Sequence, residues 1–404
     1  MSIYIVQPRS PLANSTIELI STRLAPASRQ AQVEKILALR REDPVDQDIQ
    51  RWIKESLPHG VTRISDDDQR GGISSMTVVA MPDTEAERMR QELPDILVVR
   101  DRPLDLIHPR QSAVASTATI TTSDLWHLQA IGLEAARAQG FTGTGQGITV
   151  AVLDTGVDAT HPELMGKVSA AYSFDVAQWQ VHRLENAEDT HGHGTHIAGI
   201  IGGKTIGVAP GVDIVSGTML PSGQGRLSDF VLALEWVGTQ PEIQIVNMSA
   251  GIAGYLPEMR PAVETLVTVG VLPIIAVGNE GRNRTRSPGN YIEVVSVGAM
   301  NREQRVASFS GSGTLVAENH QYIVPDLVAP GEQIYSSIVG GGYAAWDGTS
   351  MATAVVSGVA ALMLEKHPDI TVTDLEEALL LTCTDLGMPA DRQGRGLIQV
   401  RALV

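Results

Sequence analysis

Three short segments of the chain contain an acid, a base and a nucleophile. Asp154 lies in the run Val-Leu-Asp-Thr-Gly, His193 begins the run His-Gly-Thr-His-Ile-Ala-Gly, and Ser350 lies in the run Gly-Thr-Ser-Met-Ala. A serine hydroxyl becomes an effective nucleophile when an imidazole takes its proton and a carboxylate holds that imidazole in the right tautomer. The chain order Asp, His, Ser is one of the few in which this triad recurs. These residues therefore predict a serine nucleophile that attacks carbonyl groups.

The flanking sequence predicts which elements position these side chains. Asp154 follows the apolar run 148–153, which is typical of a buried parallel strand and places the carboxylate at the strand's carboxyl end. Open α/β sheets build their sites at that edge. His193 begins a pattern of small residues that predicts a helix, and Ser350 precedes a second, apolar helix over 351–364. The starts of both helices favour negative charge that develops nearby.

A fourth segment, Ile-Ile-Ala-Val-Gly-Asn-Glu-Gly over residues 274–281, completes a resemblance to a known family. Together the four segments resemble the subtilisin-like serine peptidases, the subtilases, and the resemblance runs from about residue 125 to residue 404. It implies that Asp154, His193 and Ser350 form the catalytic triad. It also implies that Asn279 and the backbone N–H of Ser350 bind the oxyanion of the tetrahedral intermediate.

The chain departs from the family pattern directly after the serine motif. Family members usually have a small residue followed by Pro-His, whereas here Thr353 precedes Ala354 and Val355. We expect the helix to persist, because alanine is a better helix former than proline.

The resemblance also implies where a peptide substrate binds. The run Asn-Met-Ser-Ala-Gly over 247–251 resembles the strand that pairs with the substrate backbone, and the run Pro-Ser-Gly-Gln over 221–224 resembles its partner on the other side. A peptide would be held between them as an added strand. The expected substrate-binding residues are Ser249, Ala250 and Gly251, Pro221, Ser222 and Gly223, and Ala276, Val277 and Gly278.

The loop after Asn279 contains three closely spaced arginines, Arg282, Arg284 and Arg286. One hypothesis is that one of them favours an acidic substrate side chain, because a guanidinium suits a carboxylate. The alternative is a solvated basic loop.

Other reactive residue types have structural interpretations. Only His193, among the three histidines of 191–196, is followed by Gly-Thr-His, so His191 is expected in a solvated loop and His196 as a structural partner. The single cysteine, Cys383, lies in an apolar segment and is interpreted as a buried small hydrophobic residue.

Residues 1–107 predict a separate small α+β domain. Its βαββαβ-like alternation is typical of a ferredoxin-like fold and resembles the family's amino-terminal propeptide, which implies an intramolecular inhibitor and folding aid. The alternative is an accessory docking domain that stays attached. The predicted elements are strands at 3–7, 61–65, 74–81 and 96–100 and helical stretches at 29–41, 47–55 and 84–93.

Residues 108–124 predict a linker that passes the active site, since they are rich in Ser, Thr and Ala without apolar periodicity. If maturation occurs, we expect cleavage between Leu106 and Ser116. The catalytic domain is expected to span 125–404.

Composition favours a doubly wound, mostly parallel α/β sheet flanked by helices in the catalytic domain. The chain has 404 residues, of which 43% are hydrophobic and 4% aromatic, so small apolar residues outnumber aromatic ones. Small apolar residues suit parallel strands that are covered by helices. Helix candidates alternate with these strands, which is the doubly wound pattern. The predicted strands span 147–154, 212–219, 242–248, 272–279 and 293–298.

The net charge and the absence of visible targeting segments limit which classes of partner and which cellular location are expected. The net charge of −16 argues against nucleic acid and anionic membranes, which would require a dense basic patch. No secretion signal or membrane span is visible, and a single cysteine allows no intramolecular disulfide. We therefore expect a cytoplasmic location.

No metal or other cofactor is expected. The turn over 202–208 is short and lacks a carboxylate, which argues against the calcium loop of many family members, and 185–189 is interpreted as a solvated acidic loop.

Three functions follow from these observations. The first is an endopeptidase that acts on peptides or proteins through an acyl-enzyme and is restrained by its amino-terminal domain. The second is a processing enzyme that transfers the acyl group to an amine. The third is a catalytically silent peptide-binding module.

Overall fold

The structure, a computed structural model, describes residues 1–9, 26–65, 73–115, 120–317 and 320–400. Among the helices in these ranges, none is both long enough and apolar enough to cross a membrane.

The helices and strands in these ranges are given in chain order. The helices are α1 (Pro26–Glu42), α2 (Pro44–Ser56), α3 (Asp83–Glu92), α4 (Trp126–Ala130), α5 (Leu133–Ala138), α6 (His193–Gly202), α7 (Leu227–Thr239), α8 (Arg260–Thr268), α9 (Thr349–Lys366), α10 (Val372–Leu381) and α11 (Ala390–Gln393). The strands are β1 (Ser2–Pro8), β2 (Thr62–Arg63), β3 (Thr77–Met81), β4 (Ile96–Arg100), β5 (Pro103–Leu106), β6 (Arg110–Ala115), β7 (Thr149–Asp154), β8 (Val168–Asp175), β9 (Gln180–Leu184), β10 (Asp213–Thr218), β11 (Gln224–Arg226), β12 (Ile243–Met248), β13 (Ala250–Ala253), β14 (Leu272–Ala276), β15 (Arg286–Ser287), β16 (Val295–Met300), β17 (Gly313–Ala317), β18 (His320–Val324), β19 (Leu327–Pro330), β20 (Ile334–Ile338) and β21 (Gly342–Asp347).

A central sheet of eight strands, counted over the described ranges, has the order β19-β16-β14-β12-β7-β10-β8-β9. Its neighbours are parallel except β8 and β9. Along β7, Val150 and Val152 belong to one buried cluster, while Ala151 and Leu153 belong to another. Helices α6 and α9 contribute to the first cluster, and α7 and α8 to the second, so helices cover both faces. The predicted doubly wound α/β fold is confirmed.

The amino-terminal residues form a small antiparallel sheet of order β2-β3-β1-β4. Side chains alternate along β1, so Tyr4 and Val6 pack with α2 and α3, while Ile5 faces the opposite way. Ile5 belongs to the same buried cluster as Phe230 and Leu234 of α7. The predicted small α+β domain is confirmed, and one face of its sheet packs on α7.

The chain between these two parts pairs with strands that lie later in the sequence. Strand β5 lies between β11 and β13 and is antiparallel to both, and β6 is antiparallel to β21. Within the predicted linker 108–124, residues Arg110–Ala115 form a strand. This strand is stabilised by backbone pairing with a distant segment, which requires no apolar periodicity. Residues 116–119 of the predicted linker, and with them Ser116 at the end of the cleavage window, lie outside the described residues.

Candidate active site

Asp154 and His193 meet at the carboxyl edge of the central sheet. Asp154 is the last residue of β7, His193 is the first residue of α6, and both side chains are fully buried. His193 Nδ1 lies 2.8 Å from Asp154 Oδ1 and 2.9 Å from Oδ2. Because a carboxylate only accepts hydrogen bonds, Nδ1 carries a proton, and in the neutral form of the ring Nε2 keeps a lone pair. Nε2 has no hydrogen-bond partner among the described residues.

Two features bring α6 this close to β7. A Cβ on Gly194 would lie 2.0 Å from the carbonyl oxygen of Gly156, so only glycine fits there. Asp189 accepts hydrogen bonds from the backbone N–H groups of Gly192 at 2.8 Å and Thr195 at 2.8 Å, which satisfies donors at the start of α6. The interpretation of Asp189 as part of a solvated loop was therefore wrong. Its position four residues before His193 was the available signal.

Trp346 of β21 packs against the face of α6 that contains His193 and His196. Its ring stacks on the His196 ring at a centroid distance of 4.4 Å and lies 6.2 Å from the His193 ring. His196 Nε2 donates to the carbonyl oxygen of Ala344 at 3.1 Å. Burial lowers the pKa of His196 to about 3, so this ring is neutral. Trp346 was not among the residues that the sequence motifs singled out.

Ser350 lies in the first turn of α9, and its side chain is fully buried. Its Oγ donates to the carbonyl oxygen of Ile107, just beyond β5, at 3.2 Å. Helix α9 continues without a break to Lys366, with Thr353 Oγ1 bonded to the carbonyl oxygen of Thr349 at 2.8 Å. The expectation that this helix persists without the family's proline is confirmed.

Asn279 lies in the loop after β14 and faces the same segment. Its Nδ2 donates to the carbonyl oxygen of His108 at 3.1 Å. Its Oδ1 accepts from the backbone N–H and the Oγ1 of Thr349, both at 2.9 Å. The side chain is thereby oriented with its donor group toward the passing backbone.

The groove beside these residues is filled by β5. The register pairs Asp105 with Gln224 on one side and with Gly251 on the other. Ile107 then donates its N–H to the carbonyl oxygen of Ser249 at 2.9 Å, and its side chain is 1% exposed. The chain's own residues 103–108 thus bind as an added strand between two walls.

Of the expected substrate-binding residues, Ser249, Ala250 and Gly251 lie directly beside this strand. Ser249 accepts from Ile107, and Ala250 and Gly251 begin β13, which pairs with β5. Residues 221–223 form a 3-10 turn, and the pairing itself is made by the following strand β11, of which the predicted run 221–224 contains only Gln224. Ala276, Val277 and Gly278 are buried at the end of β14 and in the turn after it.

Arg282 and Arg286 of the arginine-containing loop have different surroundings. Arg282 pairs with Asp391 at 2.7 Å, whereas Arg286 reaches the groove and donates to the carbonyl oxygen of Gly251 at 2.9 Å. Arg286 Nε also donates to Glu280 Oε1 at 2.7 Å, so a carboxylate of the chain already balances its charge.

His191 and Cys383 lie outside the Asp154–His193 pair. The His191 ring lies 6.1 Å from the His108 ring, and burial followed by the charge of His193 lowers its pKa. Cys383 is partly buried against the core, and burial raises the pKa of its thiol to about 12. No group of three or more His, Cys, Asp or Glu side chains that could hold a metal ion occurs in the described ranges.

Comparison with known proteins agrees with this geometry. A family model described as the subtilase family matches residues 145–396. The chain is 34% identical over 277 residues to "Intracellular serine protease" of Paenibacillus polymyxa, covering 64% of this chain and 81% of that protein.

Two further relatives match a similar share. The identity is 34% over 304 residues to "Alkaline elastase YaB" of Bacillus sp. (strain YaB), covering 73% of this chain and 75% of that protein. It is 35% over 278 residues to "Subtilisin E" of Bacillus subtilis (strain 168), covering 66% and 68%. The chain therefore belongs to the subtilase family and is a subtilisin-like serine protease.

Proposed function

We propose that the chain is a serine endopeptidase that forms an acyl-enzyme on Ser350. His193 Nε2 takes the proton from Ser350 Oγ as the oxygen attacks the substrate carbonyl carbon, and Asp154 stabilises the imidazolium. Asn279 Nδ2 and the backbone N–H of Ser350 bind the developing oxyanion. His193 then protonates the leaving amine, and water, deprotonated by the same imidazole, releases the acyl group. The observation that carries this proposal is the peptide backbone at Ile107 and His108 in contact with Ser350 and Asn279.

The same segment supports autoinhibition by the amino-terminal residues. It occupies the groove as a substrate would, yet Ser350 Oγ contacts the carbonyl of Ile107 while Asn279 contacts the carbonyl of His108. Attack requires the nucleophile and the oxyanion donor at one carbonyl, so this register favours binding over cleavage.

Contacts outside the groove hold this segment in place. Asp101, 5% exposed, accepts from Arg226 Nε at 2.6 Å and from the N–H of Ser228 at 3.0 Å, in the first turn of α7. A carboxylate at a helix start is favoured by the helix dipole as well as by these bonds. The amino-terminal domain is thus docked by charge and by its apolar sheet face.

The test is cleavage of a denatured protein substrate by full-length wild type and by Ser350→Ala, with products identified by mass spectrometry. We expect internal cleavage by wild type alone. Adding an amine nucleophile separates the two enzymatic alternatives, since a transferase would yield amine adducts in place of free acids. Equal cleavage by both proteins, or none after removal of the inhibitory contacts by Asp101→Ala, would overturn the proposal.

The proposed location is the cytoplasm. The support is the likeness to a protein whose name describes it as intracellular, of which this chain covers 81%. Fractionation of the native cells with an antibody against the chain tests it, and recovery in the medium would contradict it.

A further inference from the structure

A cleft of about 480 Å³ lies between helix α1 of the amino-terminal domain and the end of α7. We call it the α1 cleft. Gly238, Thr239 and Pro241 line its α7 side. Four of the α1 residues that line it recur at every fourth position, namely Arg29, Val33, Leu37 and Arg41. Such residues share one face of a helix, so an arginine lies at each end of an apolar stretch about 18 Å long.

Arg29 joins α1 to the ends of two later helices. Its side chain is 1% exposed. Its Nε donates to the carbonyl oxygen of Val269, directly after α8, at 3.1 Å. Its Nη1 donates to the carbonyl oxygens of Pro241, at 2.9 Å, and of Ile243. These bonds hold the guanidinium in place where α1 meets the ends of α7 and α8.

The charge of Arg29 lacks a buried counter-charge. Its Nη2 is buried and has no hydrogen-bond partner among the residues that the structure describes. Burial lowers the pKa of Arg29 to about 10, so the guanidinium is still charged at neutral pH. Its three bonds go to backbone carbonyls, whereas buried charges are usually paired with an opposite charge. Two neighbouring carboxylates, Glu34 in the cleft and Glu242, are both exposed, so water screens them.

We propose that the α1 cleft binds a small organic carboxylate with an apolar body. The carboxylate accepts hydrogen bonds from Nη2 of Arg29, which satisfies both the unpaired donor and the unbalanced charge. The apolar body packs on Val33 and Leu37, which lie against the buried cluster that contains Phe230. A single free nitrogen suits a carboxylate better than a phosphate, whose additional oxygens require more donors. This binding site does not depend on the endopeptidase function.

The position of the α1 cleft gives its ligand an effect on docking. The ligand contacts α1 on one side and the end of α7 on the other, so it binds the docked arrangement of the two parts better than a separated one. A ligand that binds one arrangement preferentially shifts the equilibrium toward it. On the proposed autoinhibition, the carboxylate therefore strengthens inhibition.

The test of binding is calorimetric titration of full-length Ser350→Ala with octanoate. Octanamide has the same apolar body without the charge, and inorganic phosphate has charge without an apolar body. We expect saturable binding of octanoate, about tenfold tighter than octanamide, because charge-assisted hydrogen bonds are the stronger ones. Equal affinities for octanoate and octanamide, or tighter binding of phosphate, would overturn the proposal.

Two variants in the Ser350→Ala background locate the site. Arg29→Gln removes the charge and should weaken octanoate binding about tenfold without changing octanamide binding. Because this change may also disturb α1, Thr239→Trp provides a second test. Thr239 is exposed and lines the cleft, so the larger ring should fill the space and weaken binding of both compounds.

The matched control is Arg51→Gln. Arg51 is exposed on α2 and pairs with Asp48 at 3.0 Å, so its replacement should change neither affinity. Octanoate binding that persists unchanged in both Arg29→Gln and Thr239→Trp would place the ligand elsewhere and overturn the α1 cleft as the site.

The effect on docking is measured by peptide hydrolysis with fresh full-length wild type. At ten times its Kd, a ligand that binds only the docked arrangement shifts the docking equilibrium about tenfold, so the initial rate should fall by up to that factor. Arg29→Gln should abolish the effect. Octanoate binding without a change in rate would overturn the coupling to docking. Wild type that hydrolyses no peptide would overturn the endopeptidase, while titration of Ser350→Ala still decides the binding site.

Discussion

Ser350 and Asn279 contact successive carbonyl groups of one bound strand. Ser350 Oγ lies 3.2 Å from the oxygen of Ile107, and Asn279 Nδ2 lies 3.1 Å from the oxygen of His108. Pro109 follows His108, and its ring restricts the backbone of both residues. The hydroxyl of Ser350 and the amide of Asn279 therefore donate to two different carbonyl oxygens of the strand in the groove.

Replacing Asn279 should separate substrate binding from turnover. Asn279→Asp keeps an oxygen for the N–H and Oγ1 of Thr349 but removes the Nδ2 donor. We expect kcat to fall by about 10²–10³, a magnitude taken from subtilisin itself rather than from this structure, with KM little changed. Steady-state kinetics with a peptide substrate test this. A loss confined to KM would place Asn279 in substrate binding alone.

Asp101→Ala should weaken docking of the amino-terminal domain. The change removes the acceptor of the Arg226 and Ser228 bonds, a loss of about 2 kcal/mol for a buried charge-assisted contact. We expect a higher initial rate of peptide hydrolysis from the full-length protein. The control is Arg100→Ala, whose side chain contacts Ser2 and Asp83 within its own domain. Equal initial rates for Asp101→Ala and wild type would contradict docking through Asp101.

The buried histidines should make stability fall in acid. Burial lowers the pKa of His196 to about 3 and that of His127 to about 4, so the unfolded chain binds protons below about pH 6.5 while the folded chain does not. Stability is then lost progressively as the pH falls from about 6.5, by about 2 kcal/mol for each histidine by pH 5.

Urea unfolding of the Ser350→Ala protein at pH 7.5 and 5 measures this loss without self-digestion. His196→Gln in the same background should reduce it, since glutamine does not titrate. Exposed His367→Gln should leave it unchanged. An equal loss with and without His196 would show that this histidine is not held neutral.

Oxidation of Met351 should depress turnover. Met351 is fully buried beside Ser350, and its Sδ lies 3.3 Å from the position that a Cβ on Gly348 would take. The sulfoxide is bulkier and polar, so it would disturb the start of α9. Activity after peroxide should fall in wild type and persist in Met351→Leu. Because the chain has 12 methionines, peptide mapping must locate the oxidised residue. Full activity with Met351 oxidised would contradict its placement.

Local motifs predicted Asp154, His193, Ser350 and Asn279 because each lies where a strand ends or a helix begins, a pattern that the sequence carries within a few residues. The structure brings Asp154 and His193 together and directs Ser350 and Asn279 toward one strand. The apolar runs likewise predicted the central sheet.

Residues that act through distant pairing could not be predicted in this way. Trp346 stacks on His196 from 150 positions later in the chain, and β11 pairs with β5 across more than 100 positions. Strand β6 has a sequence typical of a linker, and among the strands of the described ranges it pairs with β21 alone. The hydrophobic periodicity of a short segment does not show which distant segment it contacts.

The central claim is that His193 activates Ser350 as a nucleophile. Its most direct test is to treat full-length wild type and Ser350→Ala with a fluorophosphonate probe and read both by intact mass. We predict one adduct on wild type, mapped to Ser350, and none on the variant. A wild-type chain that stays unlabelled even with Asp101→Ala added, or an adduct on both proteins, would contradict the claim.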